Sequence, residues 1–223
     1  TGGNVTTSVV SLTLEIVLLE TDLNNIKALA ALAVDTTTTF VSMNVGGAKD
    51  VSGNNVTGVG SESGLVSTSF IQDTTRPALL SFTLSIDTGV MVLSFSETVN
   101  GSSFDPTELK LQSAANGTAA GVSALTLTGG INATSEPSTT VSFGMLKEDL
   151  DAVKIIDGFA TTESNTFVSA SSGMVADMGT HPSPLQAVLI GSGLIASTVT
   201  TDSTAPEVVS FTFDLNAGVL NLS

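Results

Sequence analysis

Residues 80–95 read LSFTLSIDTGVMVLSF, and their alternation indicates the fold class. Apolar side chains occupy every second position from Leu80 to Ile86, with Ser or Thr between them. A period of two places alternate side chains on opposite faces of an extended chain, so the pattern predicts a strand with one buried face. Asp87-Thr88-Gly89 then predicts a tight turn, and residues 90–95 the returning strand of a hairpin.

The later part of the chain continues this rhythm with one interruption. Strands are predicted near residues 108–113, 122–128, 139–146, 165–170 and 194–200. Residues 147–154 read KEDLDAVK, with acidic residues early and a lysine late, and Leu150 lies three positions before Val153, which predicts a short helix. About seven strands with frequent turns and one crossover helix predict an all-β fold, organised as a β-sandwich.

Self-similarity at a fixed spacing is the second strong signal. Motifs that recur at an offset of 127 residues are TFVS at 39–42 and 166–169, Lys27 and Lys154, Asp50 and Asp177, and the helical segments that begin near residues 20 and 147. Beyond an insertion of two residues, DTTRP at 73–77 recurs as DSTAP at 202–206. A period of 127–129 residues predicts tandem repeats, each carrying its own short helix.

The recurring proline motifs predict where one repeat gives way to the next. Proline has no amide donor and holds the residue before it in extended geometry, which suits a short, stiff link. We therefore expect residues 1–72 to be the later part of one repeat and residues 73–201 a complete one. Residues 202–223 are expected to be the opening hairpin of a third repeat.

Three motifs resemble those of bacterial-Ig-like tandem repeats, which occur in giant cell-surface proteins of bacteria, algae and heterokonts. DTTRP (73–77), LSFSETV (93–99) and DVSGN (50–54) are similar to the family's D-T-T-x-P, F-S-E-x-V and D-x-x-G-N signatures. The resemblance covers essentially the whole chain and departs at residues 178–181, where the Gly-Asn turn is lost. It implies immunoglobulin-like sandwich repeats and an extracellular structural or adhesive role.

The charge balance excludes several classes of partner. A net charge of −15, from 21 acidic and 6 basic residues, repels phosphate backbones and anionic lipid headgroups, so binding to nucleic acid is not expected. Direct membrane insertion is not expected either, because the longest apolar stretch, residues 185–196, is interrupted by Gly191, Ser192 and Gly193. The chain has no cysteine, so its stability must come from core packing rather than from disulfides.

The sequence offers little for catalysis, and we predict that the chain is not an enzyme. His181 is the only imidazole and there is no thiol, so a nucleophile with its base cannot be assembled in each repeat. Glu148, Asp149 and Asp151 are carboxylates close in sequence, but they lie at the predicted start of a helix, where the helix dipole favours acids. With no Trp or Tyr and Phe at core positions, sugar binding is not expected either.

Calcium is the one cofactor that the sequence leaves open. Asp73 and Asp202 begin the two proline motifs, and Glu97 and Asp105 fall in one loop region. Hard cations take six to eight oxygen ligands from such groups, although no spacing here matches an EF-hand. These four acids are the candidate calcium ligands.

Six N-x-[ST] sequons are candidate glycosylation sites. They begin at Asn4, Asn55, Asn100, Asn116, Asn132 and Asn221. All except Asn221, which falls in a strand pattern, lie in or beside predicted loops, where a glycan has room.

Two hypotheses for function follow. In the first, the repeats form the body of a large extracellular surface or filament protein, such as a flagellar hair (mastigoneme), fibre or surface coat. In the second, they form the stalk of a cell-surface adhesin that carries a separate binding domain. Expected partners are neighbouring repeats, other copies of the chain in a fibre, and glycans.

Overall fold

The computed structural model describes residues 3–5, 10–178 and 182–223, with the backbone alone for residues 3–5. The described residues form mostly β-strands arranged in several sheets, with two α-helices. The predicted all-β class is therefore confirmed. His181 lies outside the described residues.

The first part of the chain forms two small sheets and a helix. Its elements are β1 (Gly3–Val5), β2 (Ile16–Leu18), α1 (Glu20–Lys27), β3 (Phe40–Val41) and β4 (Leu65–Val66). Strand β1 pairs with β2, and β3 with β4, both antiparallel. Acids in the first turn of α1 and Lys27 in its last turn match the helix dipole.

The central part of the chain contains nine strands and one helix within its described residues. They are β5 (Leu79–Ser85), β6 (Val90–Val99), β7 (Leu109–Gln112), β8 (Ala124–Thr126), β9 (Gly130–Ile131), β10 (Ser138–Met145), α2 (Lys147–Ile155), β11 (Phe167–Ala170), β12 (Leu194–Ile195) and β13 (Thr198–Thr200). The final hairpin consists of β14 (Phe211–Asp214) and β15 (Val219–Leu222).

The central strands form two sheets that share one core. One sheet has the order β13-β5-β6-β10-β9 and the other β12-β11-β7-β8. All neighbouring strands are antiparallel except β13, which runs parallel to β5. Phe82, Leu93 and Phe143 from the first sheet belong to one buried cluster with Leu111 and Val168 from the second. Burial of such side chains is the main favourable term in folding.

The predicted first strand is right in its position but wrong at its first apolar residue. Phe82, Leu84 and Ile86 are buried as expected, whereas Leu80 is 59% exposed and Leu79 is buried instead. The strand register shifts between Leu79 and Ser81 where β5 pairs with β6. A bulge adds one residue to one strand, and with a period of two this moves the preceding side chains to the opposite face.

The predicted strand at residues 194–200 is two strands that belong to different sheets. β12 pairs with β11, whereas β13 pairs with β5. Between them Ala196 is buried, and Ser197 donates from its backbone N–H and from its hydroxyl to the Phe82 carbonyl oxygen, at 2.9 and 2.8 Å. The chain therefore crosses from one sheet to the other at these two residues, which strand-like composition alone does not reveal.

The local structure recurs at the sequence offsets. Helices α1 and α2 begin 127 residues apart, and Ala33 and Ala160, also 127 apart, share a left-handed φ of 53°. The register of β14 with β15 matches that of β5 with β6, since Phe211 opposes Leu222 and Phe82 opposes Leu93. The same local sequence thus forms the same hairpin and the same helix at each occurrence.

The copies differ in what covers them. All buried apolar side chains among the described residues lie between Leu79 and Ala196. Phe82 is 0% exposed, whereas Phe211, at the equivalent position of the final hairpin, is 67% exposed. Burial at these positions is thus set by the opposing sheet and not by the residue type.

Candidate functional site at the first junction

The motif that was predicted to join two repeats is fastened to the central sheets. We call the surroundings of Asp73 the first junction. Asp73 accepts a hydrogen bond from the Thr75 N–H at 2.9 Å, which shapes the turn. The Arg76 guanidinium donates to the carbonyl oxygens of Pro184 and Leu185 at 2.9 and 2.7 Å. The backbone on both sides of Pro77 is therefore anchored to a loop of the central part.

Helix α1 reaches across this junction. Its last residue, Lys27, places its ammonium nitrogen Nζ 2.7 Å from Asp73 Oδ2 and 2.5 Å from Glu97 Oε2. One turn earlier, the Asn24 carbonyl oxygen accepts from the Thr98 hydroxyl at 3.1 Å. Glu97 and Thr98 belong to β6, so the helix of the first part is held against a strand of the central sheets.

Three carboxylates meet beside this lysine. Asp73, Glu97 and Asp177 each offer an oxygen, and these oxygens lie within 4.8 Å of one another. Glu97 is 5% exposed and Asp177 3%, so both acids are buried. We call these three residues the acidic cluster. Two of its members, Asp73 and Glu97, were predicted as calcium ligands from the sequence.

Two buried oxygens show how incompletely the cluster is satisfied. Asp177 Oδ1 accepts from the Ser183 N–H at 2.6 Å. In contrast, Glu97 Oε1 is buried without a hydrogen-bond partner among the described residues. A buried polar atom of this kind is costly, since it has lost water and gained nothing in exchange.

The electrostatics of the cluster reflect one cation shared among three anions. Burial raises the pKa of Glu97 in spite of Lys27, and burial likewise raises the pKa of Asp177. Burial acts to raise the pKa of Asp73 too, but hydrogen bonds from Lys27 and Thr75 outweigh it and lower that pKa. For Lys27, burial acts to lower the pKa, and the hydrogen bonds to Asp73 and Glu97 raise it overall.

A cavity of about 500 Å³ opens onto the cluster. Apolar residues of the first part, including Leu23, Ile26 and Phe70, form one wall, and Asp73 and Asp177 contribute carboxylates to the lining. The site is therefore reachable by a small cation and by water.

A second junction, around Asp202, repeats part of this arrangement. Lys154, the counterpart of Lys27, places its Nζ 2.8 Å from Oδ2 of Asp202, the counterpart of Asp73. Asp87, in the turn between β5 and β6, accepts from the N–H groups of Ser203 and Thr204 at 3.0 and 3.1 Å. Asp202 was also predicted as a calcium ligand, but it is not part of the acidic cluster.

Asp87 makes the second junction sensitive to acid. Hydrogen bonds, first from the Ser203 N–H and then from the Thr204 hydroxyl, lower the pKa of Asp87. A lowered pKa means that the contact is fully formed above the unfolded value of about 3.9 and is lost as the pH falls through the lower folded value. We therefore expect the NMR amide signals of Ser203 and Thr204 to titrate with a midpoint below 3.9.

The control for this titration is Asp87→Asn, which keeps an oxygen acceptor but has no proton to gain. The shift of the two amide signals should disappear in that variant. It should persist in Asp214→Asn, whose carboxylate accepts instead from the N–H groups of Asn216 and Ala217. A wild-type midpoint at or above 3.9 would contradict the assignment.

The remaining predicted site residues lie apart from the cluster. Asp105 caps a short 3₁₀ turn, where it accepts from the Thr107 N–H at 2.9 Å and from its hydroxyl at 2.7 Å. Among the sequons, Asn55, Asn116, Asn132 and Asn221 are exposed and Asn100 is half-buried. The side chain of Asn4 falls outside the described residues. Four sequons are therefore accessible to a modifying enzyme.

The carboxylates that begin α2 have separate surroundings. Glu148 and Asp151 are exposed, and Asp151 forms an ion pair with Lys147. Asp149 is 3% exposed and accepts from the Thr128 N–H at 2.8 Å and from its hydroxyl at 3.0 Å. Its role is to bind α2 to the chain before β9, which is more specific than the predicted helix-dipole effect.

Comparisons with protein-family models, with curated proteins and with solved structures find no match to this chain. Neither helix in the described ranges, of 8 and 9 residues, has the length and apolar character needed to cross a membrane. The function is therefore argued from the geometry alone.

Proposed function

We propose that this chain is a structural repeat segment of a large extracellular surface or filament protein. In this proposal immunoglobulin-like sandwich repeats of about 127–129 residues follow one another, with junctions at residues 73 and 202. The chain serves as a building element of a fibre, flagellar hair or surface coat, and it carries out no catalysis.

The observation that carries the proposal is the recurrence of one ion pair at both junctions. Lys27 at the end of α1 pairs with Asp73, and Lys154 near the end of α2 pairs with Asp202. In each case the helix of one repeat contacts the first residue of the next proline motif. A contact that recurs with the period of the repeat would give successive repeats the same relative orientation, which an extended structural array requires.

The surface chemistry fits an assembled state. Val209, Phe211, Phe213 and Leu215 are more than half exposed in the final part, and the first part also exposes apolar side chains. Exposed strands and apolar faces of this extent are normally covered by further chain or by a neighbouring molecule. We propose that neighbouring repeats, other copies in a fibre and glycans on the exposed sequons cover them.

Immunogold electron microscopy with an antibody against residues 73–201 tests this function on intact source cells. We expect gold particles along the length of extracellular fibres or across a surface coat. Labelled stalks that end in a distinct unlabelled terminal domain would instead identify an adhesin. Label confined to the cell interior would contradict both.

A further inference from the structure

We infer that the acidic cluster at the first junction binds a hard divalent cation of the Ca²⁺ class, in competition with the ammonium group of Lys27. This inference does not rest on the proposed function. It rests on the positions of Asp73, Glu97 and Asp177 and on the unsatisfied oxygen of Glu97.

The donor set matches the chemistry of such a cation. Three carboxylates supply up to six oxygen atoms, and Ca²⁺ takes six to eight oxygen ligands, bound in one or two from each carboxylate. The three residues come from a junction motif, a strand and a loop, and their ligand oxygens lie within 4.8 Å of one another. Water from the adjoining cavity of about 500 Å³ can complete the shell.

The charge balance leaves room for two positive charges. Three carboxylates face one ammonium, Lys27, whose side chain is 17% exposed. A cluster with this excess of negative charge attracts a divalent ion, and the low exposure of Glu97 limits screening by solvent.

The unpartnered Glu97 Oε1 is the independent sign of a missing ligand. Glu97 has a side chain that is 6% exposed, and Lys27 satisfies its other oxygen, Oε2. Because Lys27 Nζ bonds both Asp73 and Glu97, it occupies part of the coordination space. Removal of that ammonium should therefore strengthen the binding of a metal ion.

The second junction provides an internal comparison. Lys154 and Asp202 reproduce the ion pair of Lys27 and Asp73, but no other acid joins Asp202 in a cluster of three within the described residues. Asp202→Asn and Asp73→Asn thus remove the same charge from equivalent positions, and only Asp73→Asn removes a ligand of the proposed site.

Equilibrium dialysis of the 223-residue chain against radioactive CaCl₂ tests the inference. We expect one ion per wild-type chain with a dissociation constant of roughly 0.1–1 mM, in the range of weak calcium modules. Glu97→Gln and Asp73→Asn should each weaken binding by about tenfold or more, while Asp202→Asn leaves it unchanged. Lys27→Met should strengthen it by about tenfold or more, because a repelling charge is gone.

Circular dichroism of each variant ensures that a loss of binding is not a loss of folding, and Asp73→Asn decides the outcome if Glu97→Gln does not fold. Equal weakening in Asp73→Asn and Asp202→Asn would overturn the inference, since it would indicate diffuse attraction to an acidic chain. Absence of binding to the wild type, with binding in Lys27→Met only, would also overturn it, because Lys27 would then be the resident cation.

Discussion

Phe82→Ala is expected to lower the free energy of unfolding by about 3–5 kcal/mol. Phe82 is 0% exposed in β5 and belongs to the core that the two central sheets share. Truncation removes the transfer free energy of the ring and leaves a cavity that the surrounding strands can fill only in part. Urea denaturation followed by far-UV circular dichroism measures the change.

Phe211→Ala is the matched control for this prediction. Phe211 occupies the equivalent position of the final hairpin, opposite Leu222 as Phe82 is opposite Leu93, but it is 67% exposed. We expect its replacement to change the unfolding free energy by less than about 0.5 kcal/mol. Equal losses in the two variants would show that the final hairpin is as well covered as the central sheets, contrary to the structure.

Gly101→Ala is expected to destabilise the chain by about 3 kcal/mol. Gly101 is buried in a 3₁₀ turn after β6, and a Cβ there would lie 2.4 Å from the Thr134 carbonyl oxygen and 2.7 Å from that of Glu136. Both are backbone atoms, so the clash cannot be relieved by a side-chain rotation. The same urea titration gives the change in unfolding free energy.

Gly191→Ala is the control for backbone crowding. Gly191 also lies in a 3₁₀ turn, but nothing stands within 4 Å of a Cβ at that position. Its replacement should be neutral or stabilise the fold by up to about 1 kcal/mol, because alanine restricts the unfolded chain. A loss at Gly191 as large as that at Gly101 would contradict the close approach of residues 134–136 to the turn.

The helix and most strands could be predicted because their signals are local. Alternation of apolar and polar residues predicted β5 and β6, and the acid-to-lysine order of residues 147–154 predicted α2, which spans Lys147–Ile155. Two details escaped this reasoning. The bulge beside Leu80 and the change of sheet at Ala196 both depend on which strand lies alongside, and no local pattern specifies the neighbour.

The candidate site was predicted in half. Asp73 and Glu97 were proposed as cation ligands from their places in recurring motifs, and they do meet. Asp105 and Asp202 were proposed on similar grounds, yet one caps a turn and the other pairs with Lys154. A carboxylate in a loop has the same sequence appearance whether it caps its own turn or faces another acid.

The sequence by itself determined the all-β class, the repeat period and the hairpins, because each follows from contacts between residues close along the chain. The tertiary structure alone determined that Lys27, Asp73, Glu97 and Asp177 meet. These residues span 150 positions and come from a helix, a junction motif, a strand and a loop. Their distances are set by how the first part docks on the central sheets, and that docking depends on packing between elements rather than on any periodic pattern.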